Sequence, residues 1–134
     1  MCTSKFIGFI MSSFCFVVIN TNAMQRTYTS QYGRFVADCN LDNVRLIDRG
    51  DAEIARVLKY SYVYLVTFSP NEEWIAMASY ADDGIKLVIR RTTRDNNPKI
   101  MEFGKTIIQS IFFSADSSSL EVQAEGAKIQ KISL

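Results

Sequence analysis

Ser69 and Ser114 are the candidate hydrolytic nucleophiles of this chain. Each follows a phenylalanine in one of two related stretches of the sequence. A serine nucleophile needs a neighbouring base, and the usual base is histidine. The chain contains no histidine. Turn-forming residues follow both serines, so we expect their hydroxyls to cap the local backbone. We therefore predict that this chain has no catalytic residues and is not an enzyme.

A short basic run is the first candidate for binding a partner. It contains Arg90, Arg91 and Arg94, without the interleaved aromatic residues that single-stranded nucleic acids stack upon. We expect the run in a loop between two strands, either solvated or in contact with an acidic protein surface. We predict no nucleic-acid binding.

A row of tyrosines is the second candidate. Tyr60, Tyr62 and Tyr64 alternate along the chain, which places them on one face of a strand, and Tyr80 could join them. Tyrosine is enriched at the centres of protein interfaces. The same row would also suit packing between neighbouring sheets, and packing is the interpretation we favour. The four tyrosines remain candidate partner-binding residues.

Residues 1–23 have the pattern of a secretory signal peptide. Lys5 precedes the apolar run Phe6–Ile19, and the small residues Thr21 and Ala23 suit a cleavage site after Ala23. The run is too short to span a bilayer comfortably. We therefore expect a hydrophobic signal helix and export, to a periplasm or to the exterior. The alternatives are a buried helix or an uncleaved anchor, which would be the chain's sole link to a membrane.

Removal of this segment would leave 14 basic and 14 acidic side chains, because Lys5 is the only charged residue within it. A net charge of zero gives no electrostatic attraction to nucleic acid. It would also leave Cys39 as the single cysteine, which we expect to be buried. The acidic pairs Glu72-Glu73 and Asp82-Asp83 lack the spacing of a calcium loop. We predict no metal site and no cofactor.

Short apolar runs separated by Asp, Asn, Gly and Ser clusters make up the rest of the chain and indicate β-strands. The predicted strands are Arg34–Asp38, Asn43–Asp48, Glu53–Leu58, Val63–Phe68, Trp74–Ser79, Ile85–Arg90, Lys99–Phe103, Ile107–Phe113, Leu120–Ala124 and Lys128–Leu134.

Two markers recur along these strands. Phe68-Ser69 returns as Phe113-Ser114 after 45 residues, and Asp42–Asp48 matches Asp83–Ile89 after 41 residues. This spacing is typical of the four-stranded blade of a β-propeller. The recurrence predicts that Phe68 and Phe113 are equivalent and that both are buried.

The stretch Phe68-Ser-Pro-Asn, followed by Trp74-Ile-Ala-Met-Ala-Ser and Asp83-Gly-Ile-Lys-Leu, resembles the first three strands of a WD-repeat blade. The resemblance covers residues 35–134. It departs from the family in lacking the Gly-His dipeptide and in having Ile47-Asp48 and Val88-Ile89 where Trp-Asp is common. The propeller repeat of TolB-like proteins carries a similar Ser-Pro turn and stays open as the second choice.

The resemblance implies an all-β fold of about two and a half four-stranded antiparallel blades. We expect the signal peptide at 1–23, a short N-terminal segment at 24–33 and the partial propeller at 34–134. In this register the first blade has only its last three strands and the third blade lacks its fourth.

A propeller is a rigid platform, and its fold does not fix its function. We expect an exported scaffold for protein–protein interaction, with a protein partner and no catalysis of its own. The alternative is a fragment or remnant of a propeller-bearing hydrolase whose catalytic domain is missing. Open strand edges and zero net charge lead us to expect self-association, with three copies closing a ring.

Overall fold

Alternating apolar and polar residues fold the chain into three antiparallel sheets. The structure is a computed structural model that describes residues 16–20, 25–50, 54–93 and 97–134, with side chains from Arg26 onward. The first sheet contains β1 (Phe16–Asn20), β2 (Gln25–Thr29), β3 (Phe35–Cys39), β4 (Val44–Asp48) and β5 (Ile54–Leu58). The second contains β6 (Val63–Phe68), β7 (Trp74–Ala81), β8 (Gly84–Arg91) and β9 (Lys99–Gly104). The third contains β10 (Ile108–Phe113), β11 (Ser119–Ala124) and β12 (Gln130–Ser133).

The second sheet lies between the other two, and its two faces serve two separate hydrophobic cores. Ile75 and Met77 of β7 pack in the core shared with the first sheet. Ala76 and Ala78, on the opposite face of β7, pack in the core shared with the third sheet. A strand covered on both faces is apolar throughout, which explains the unbroken run Ile-Ala-Met-Ala in its sequence.

Strands β2, β6 and β10 of the three sheets lie side by side, since β6 contacts both β2 and β10. From these strands each sheet continues in chain order on one side, and β1 pairs on the other side of β2. This is how successive blades are arranged in a β-propeller. No helix occurs in the parts of the chain that the structure describes. The predicted all-β fold of antiparallel blades is confirmed.

The first sheet has more strands than the sequence indicated. Segment 24–33, predicted to be a short extension, contains β2, so the prediction that the first blade lacks its initial strand is wrong. β2 was missed because its sequence, Gln-Arg-Thr-Tyr-Thr, has only one large apolar residue. β1 lies within the predicted signal helix but is a strand paired with β2. Its Phe-Val-Val-Ile sequence is rich in the β-branched residues that favour strands.

The turn between the first and second strands of each blade begins with a serine. These serines are Ser30, Ser69 and Ser114. In each turn the serine hydroxyl accepts a hydrogen bond from the backbone N–H five residues later, at 2.9, 3.0 and 3.1 Å respectively. The first of these turns escaped the sequence comparison because Ser30 precedes Ser69 by 39 residues and not by 45.

The fourth residue of each serine turn has a left-handed backbone. Gly33, Glu72 and Ser117 occupy this position, with φ values of 80°, 64° and 62°. Glycine adopts this conformation readily, whereas the other two residues are uncommon there. Both of those side chains form hydrogen bonds to the turn of the preceding blade.

Phe68 and Phe113 occupy equivalent register positions, opposite Ile75 and Leu120 respectively. Phe68 is 1% exposed and stacks on Phe35 with ring centroids 6.4 Å apart. Phe113 is only half-buried at the edge of the second core. The predicted equivalence is therefore confirmed in register, but the prediction that both rings are fully buried is wrong for Phe113.

No helix that is long and apolar enough to cross a membrane is found among the described residues.

Candidate partner-binding pocket

A largely apolar cavity of about 360 Å³ opens at the end of the blades opposite the serine turns. All three sheets contribute to its walls. The lining residues are Arg26, Cys39, Asn40 and Leu41 from the first sheet, Tyr62, Val63, Tyr64 and Tyr80 from the second, and Ile107 from the segment before the third.

Tyr62 is fixed at the rim of this pocket by backbone hydrogen bonds on both sides. Its N–H donates to the Leu41 carbonyl at 3.0 Å, and its carbonyl accepts from the Tyr80 N–H at 3.0 Å. Its φ of 49° is left-handed, a conformation that non-glycine residues adopt only when their surroundings impose it. The first blade and β7 thus hold the Tyr62 backbone in a defined position while its side chain stays exposed.

Tyr64 of β6 is hydrogen-bonded to β2 of the first sheet and to β10 of the third. Its hydroxyl accepts a hydrogen bond from the Ile108 N–H of β10 at 3.0 Å. Its carbonyl accepts one from the Arg26 guanidinium of β2 at 3.1 Å. Burial raises the pKa of the Tyr64 hydroxyl above its usual value. Tyr64 therefore forms a wall of the pocket and also ties the blades together.

Arg26 is the one charged residue in the pocket lining as the structure describes it. It pairs across the ladder with Cys39, a buried cysteine that also lines the cavity. The neighbouring acid, Asp38, pairs instead with Thr27, so its side chain projects from the opposite face of the sheet. The pocket therefore combines apolar walls with a single cation.

Three of the four predicted tyrosines meet at this pocket. Tyr62, Tyr64 and Tyr80 line it, whereas Tyr60 is partly buried against the first core. The predicted strand face shared by Tyr60, Tyr62 and Tyr64 does not form. β6 begins only at Val63, and the left-handed backbone at Tyr62 breaks the alternation before it.

The basic run does not form a patch. Arg90 and Arg91 lie inside strand β8, not in a loop, and adjacent strand residues face opposite sides. Arg90 is buried, while Arg91 pairs with Glu73 at 3.3 Å and lies 4.5 Å over the Trp74 ring. Arg94 lies outside the described residues. The structure thus separates the two described arginines.

Arg26, Leu41 and Ile107 line the site but were not predicted from the sequence. Each comes from a different connection or strand, and none belongs to a motif. The available signal in the sequence was Tyr62, which directly precedes the predicted strand Val63–Phe68. Across the described ranges, no three potential metal-ligating side chains lie together as an ion would require.

No protein-family model matches the chain, and no curated protein matches it. Among solved structures the chain is similar to Hsv2 of Kluyveromyces lactis, with 10% identity and a TM-score of 0.44 over 90% of this chain. It is also similar to KlHsv2 with loop 6CD replaced by a Gly-Ser linker, with 11% identity and a TM-score of 0.44 over 90% of this chain. The chain spans 59% and 61% of the length of those two chains.

Proposed function

We propose that this chain is an exported scaffold for protein–protein interaction and that its partner binds at the tyrosine pocket. One observation carries the proposal: four exposed large apolar side chains, contributed by three sheets, surround one cavity. Leu41, Tyr62, Tyr80 and Ile107 have exposed fractions of 46%, 55%, 56% and 38%. Clustered apolar surface of this kind on a soluble domain marks a binding site.

The rigidity of the site supports the same proposal. The Tyr62 backbone and the Tyr64 hydroxyl are both held by hydrogen bonds between blades. A preformed surface spends little conformational entropy on binding, which raises its affinity. No part of the described site offers a nucleophile with a base beside it, and we propose binding without catalysis.

Site-specific photo-crosslinking tests this function. We would replace Leu41 with p-benzoylphenylalanine in the full chain, irradiate it in its native host, and identify the adduct by mass spectrometry. The matched control carries the same group at Tyr32, which is 76% exposed on the opposite end of the blades. We expect one discrete protein adduct from position 41 and none from position 32. Equal labelling at both positions, or none at either, would refute the proposed site.

Export and self-association are separate parts of the proposal. N-terminal sequencing of the recovered protein is expected to begin at Met24, whereas a chain that retains residues 1–23 would indicate an anchor. Sedimentation is expected to show a homo-oligomer at micromolar concentration, and a monodisperse monomer would refute self-association.

A further inference from the structure

We infer that the pocket binds a segment of a partner protein in which an acidic side chain lies next to a large apolar one. This inference rests on the proposed function and specifies its ligand. Its basis is charge complementarity: Arg26 brings one positive charge to a lining that contains no carboxylate among the described residues. A cation among apolar walls is poorly solvated, so a carboxylate that reaches it forms a strong, charge-assisted hydrogen bond.

The hydrogen bonding of Arg26 leaves capacity for such a ligand. Its contact with the Tyr64 carbonyl uses one of the five N–H donors of the guanidinium and orients the group. The planar fork of arginine matches a carboxylate, which accepts two parallel hydrogen bonds. Arg26 thus acts as a positioned anion receptor, not as a mobile surface charge.

The remaining walls select the neighbouring residue of the ligand. Leu41, Val63 and Ile107 present aliphatic surface, and the tyrosine rings add aromatic faces. At about 360 Å³ the cavity lies near the lower end of ligand-binding pockets, which suits a single large side chain. A nucleic acid would need several cations along its backbone, and this site has one.

Four blocked tetrapeptides provide the test by NMR titration of the full chain. The first, Ac-Ala-Asp-Phe-Ala-NH2, carries both features, and Ac-Ala-Phe-Asp-Ala-NH2 reverses their order. Ac-Ala-Asn-Phe-Ala-NH2 removes the charge with little change in shape, and Ac-Ala-Asp-Ala-Ala-NH2 removes the apolar side chain. We expect shifts at the amides of Leu41, Tyr62 and Tyr80 with at least one of the first two peptides. The peptide that lacks the charge and the peptide that lacks the phenylalanine should each bind at least about fivefold more weakly.

Variants of Arg26 assign the effect to this residue. Arg26→Gln should weaken binding of the Asp peptide far more than binding of the Asn peptide and so remove most of the difference between them. Arg26→Lys keeps the charge without the fork and should give an intermediate difference. An unchanged amide spectrum away from the pocket verifies that each variant is folded, and Arg26→Lys serves alone if Arg26→Gln unfolds.

Three results would overturn the inference: equal affinity for the Asp and Asn peptides, shifts that map outside the pocket, or no binding of any peptide. None of these would remove the proposed function if crosslinking at Leu41 still captured a protein. Conversely, peptide binding without a crosslinked protein would refute the proposed function and leave the ligand preference standing.

Discussion

Glu72 and Ser30 connect the first two blades: the Ser30 hydroxyl donates a hydrogen bond to the Glu72 carboxylate. The same carboxylate oxygen accepts from the backbone N–H groups of Tyr32 at 3.1 Å and Arg34 at 3.3 Å. One side chain at the left-handed position of the second serine turn thus satisfies three donors of the first. The third turn repeats the contact in reduced form, where the Ser117 hydroxyl accepts from the Asn71 N–H at 3.1 Å.

Glu72→Gln should destabilise the chain by about 1–2 kcal/mol, because a neutral amide accepts these hydrogen bonds less strongly than a carboxylate. Glu73→Gln is the matched control. It removes the same charge from the adjacent exposed residue, whose ion pair with Arg91 lies on the surface, and should cost less than about 0.5 kcal/mol. Urea denaturation measures both changes. Equal effects would show that the contact between turns contributes nothing specific.

Phe68→Ala should cost about 3–5 kcal/mol in unfolding free energy, since it empties a fully buried site against Phe35. Phe113→Ala, at the equivalent but half-buried position, should cost only about 1–2 kcal/mol. Thermal or urea unfolding of the two variants compares them directly. A Phe113→Ala effect as large as that of Phe68→Ala would mean that this ring is covered in solution.

Asp116 should titrate with a pKa of about 2, below the usual 3.8, because the hydroxyls of Ser114 and Ser118 and the Ser118 N–H donate to its carboxylate. A carboxyl whose pKa is depressed by folding stabilises the protein above its unfolded pKa. That contribution is lost as the pH falls from about 4 towards 2. Carboxyl carbon NMR measures the midpoint.

Ser118→Ala removes the hydroxyl donor to Asp116 and keeps the backbone N–H at position 118, so the midpoint should move part of the way back toward 3.8. Asp48, whose pKa is lowered chiefly by its hydrogen bond to Arg34, serves as the internal control and should not move. A midpoint for Asp116 that does not respond to the variant would contradict the network.

Gly84→Ala should destabilise the chain by about 3 kcal/mol or more, because a Cβ there would lie 2.6 Å from the Gly104 carbonyl oxygen. Its φ of 125° adds backbone strain. Gly126 is the control, since it also has a positive φ of 70° but no atom within 4 Å of an added Cβ. Gly126→Ala should cost about 1 kcal/mol, from strain alone. Equal losses of stability would show that the approach to Gly104 is not limiting.

The sequence predicted the strands of the second blade well because their patterns are local. Ile85, Leu87 and Ile89 alternate along β8 and are all buried as expected. The pocket could not be predicted in this way. It depends on the left-handed backbone of Tyr62, which is held by hydrogen bonds to Leu41 of the first blade and Tyr80 of β7, and on Arg26 in a strand with almost no apolar signal.

Charge in a short run was also a poor guide. Arg90 and Arg91 are adjacent in sequence, which suggested one basic surface, but strand geometry sends them to opposite faces. Arg90 is buried in the folded chain, and no window of the sequence around it contains that information.

The first two blades have the same serine turn, but the hairpins formed by their second and third strands differ in length. β3 and β4 have five residues each, whereas β7 and β8 have eight. Three extra residues lengthen a strand by about 10 Å, and the added length lies at the end far from the turn. Tyr80 stands on this extension of β7, at the pocket rim. The depth of the pocket can therefore be altered by inserting or deleting residue pairs in a hairpin, while the serine turns at the other end of the blades are left unchanged. In evolution or in engineering, a new specificity would then require no new way of assembling the module.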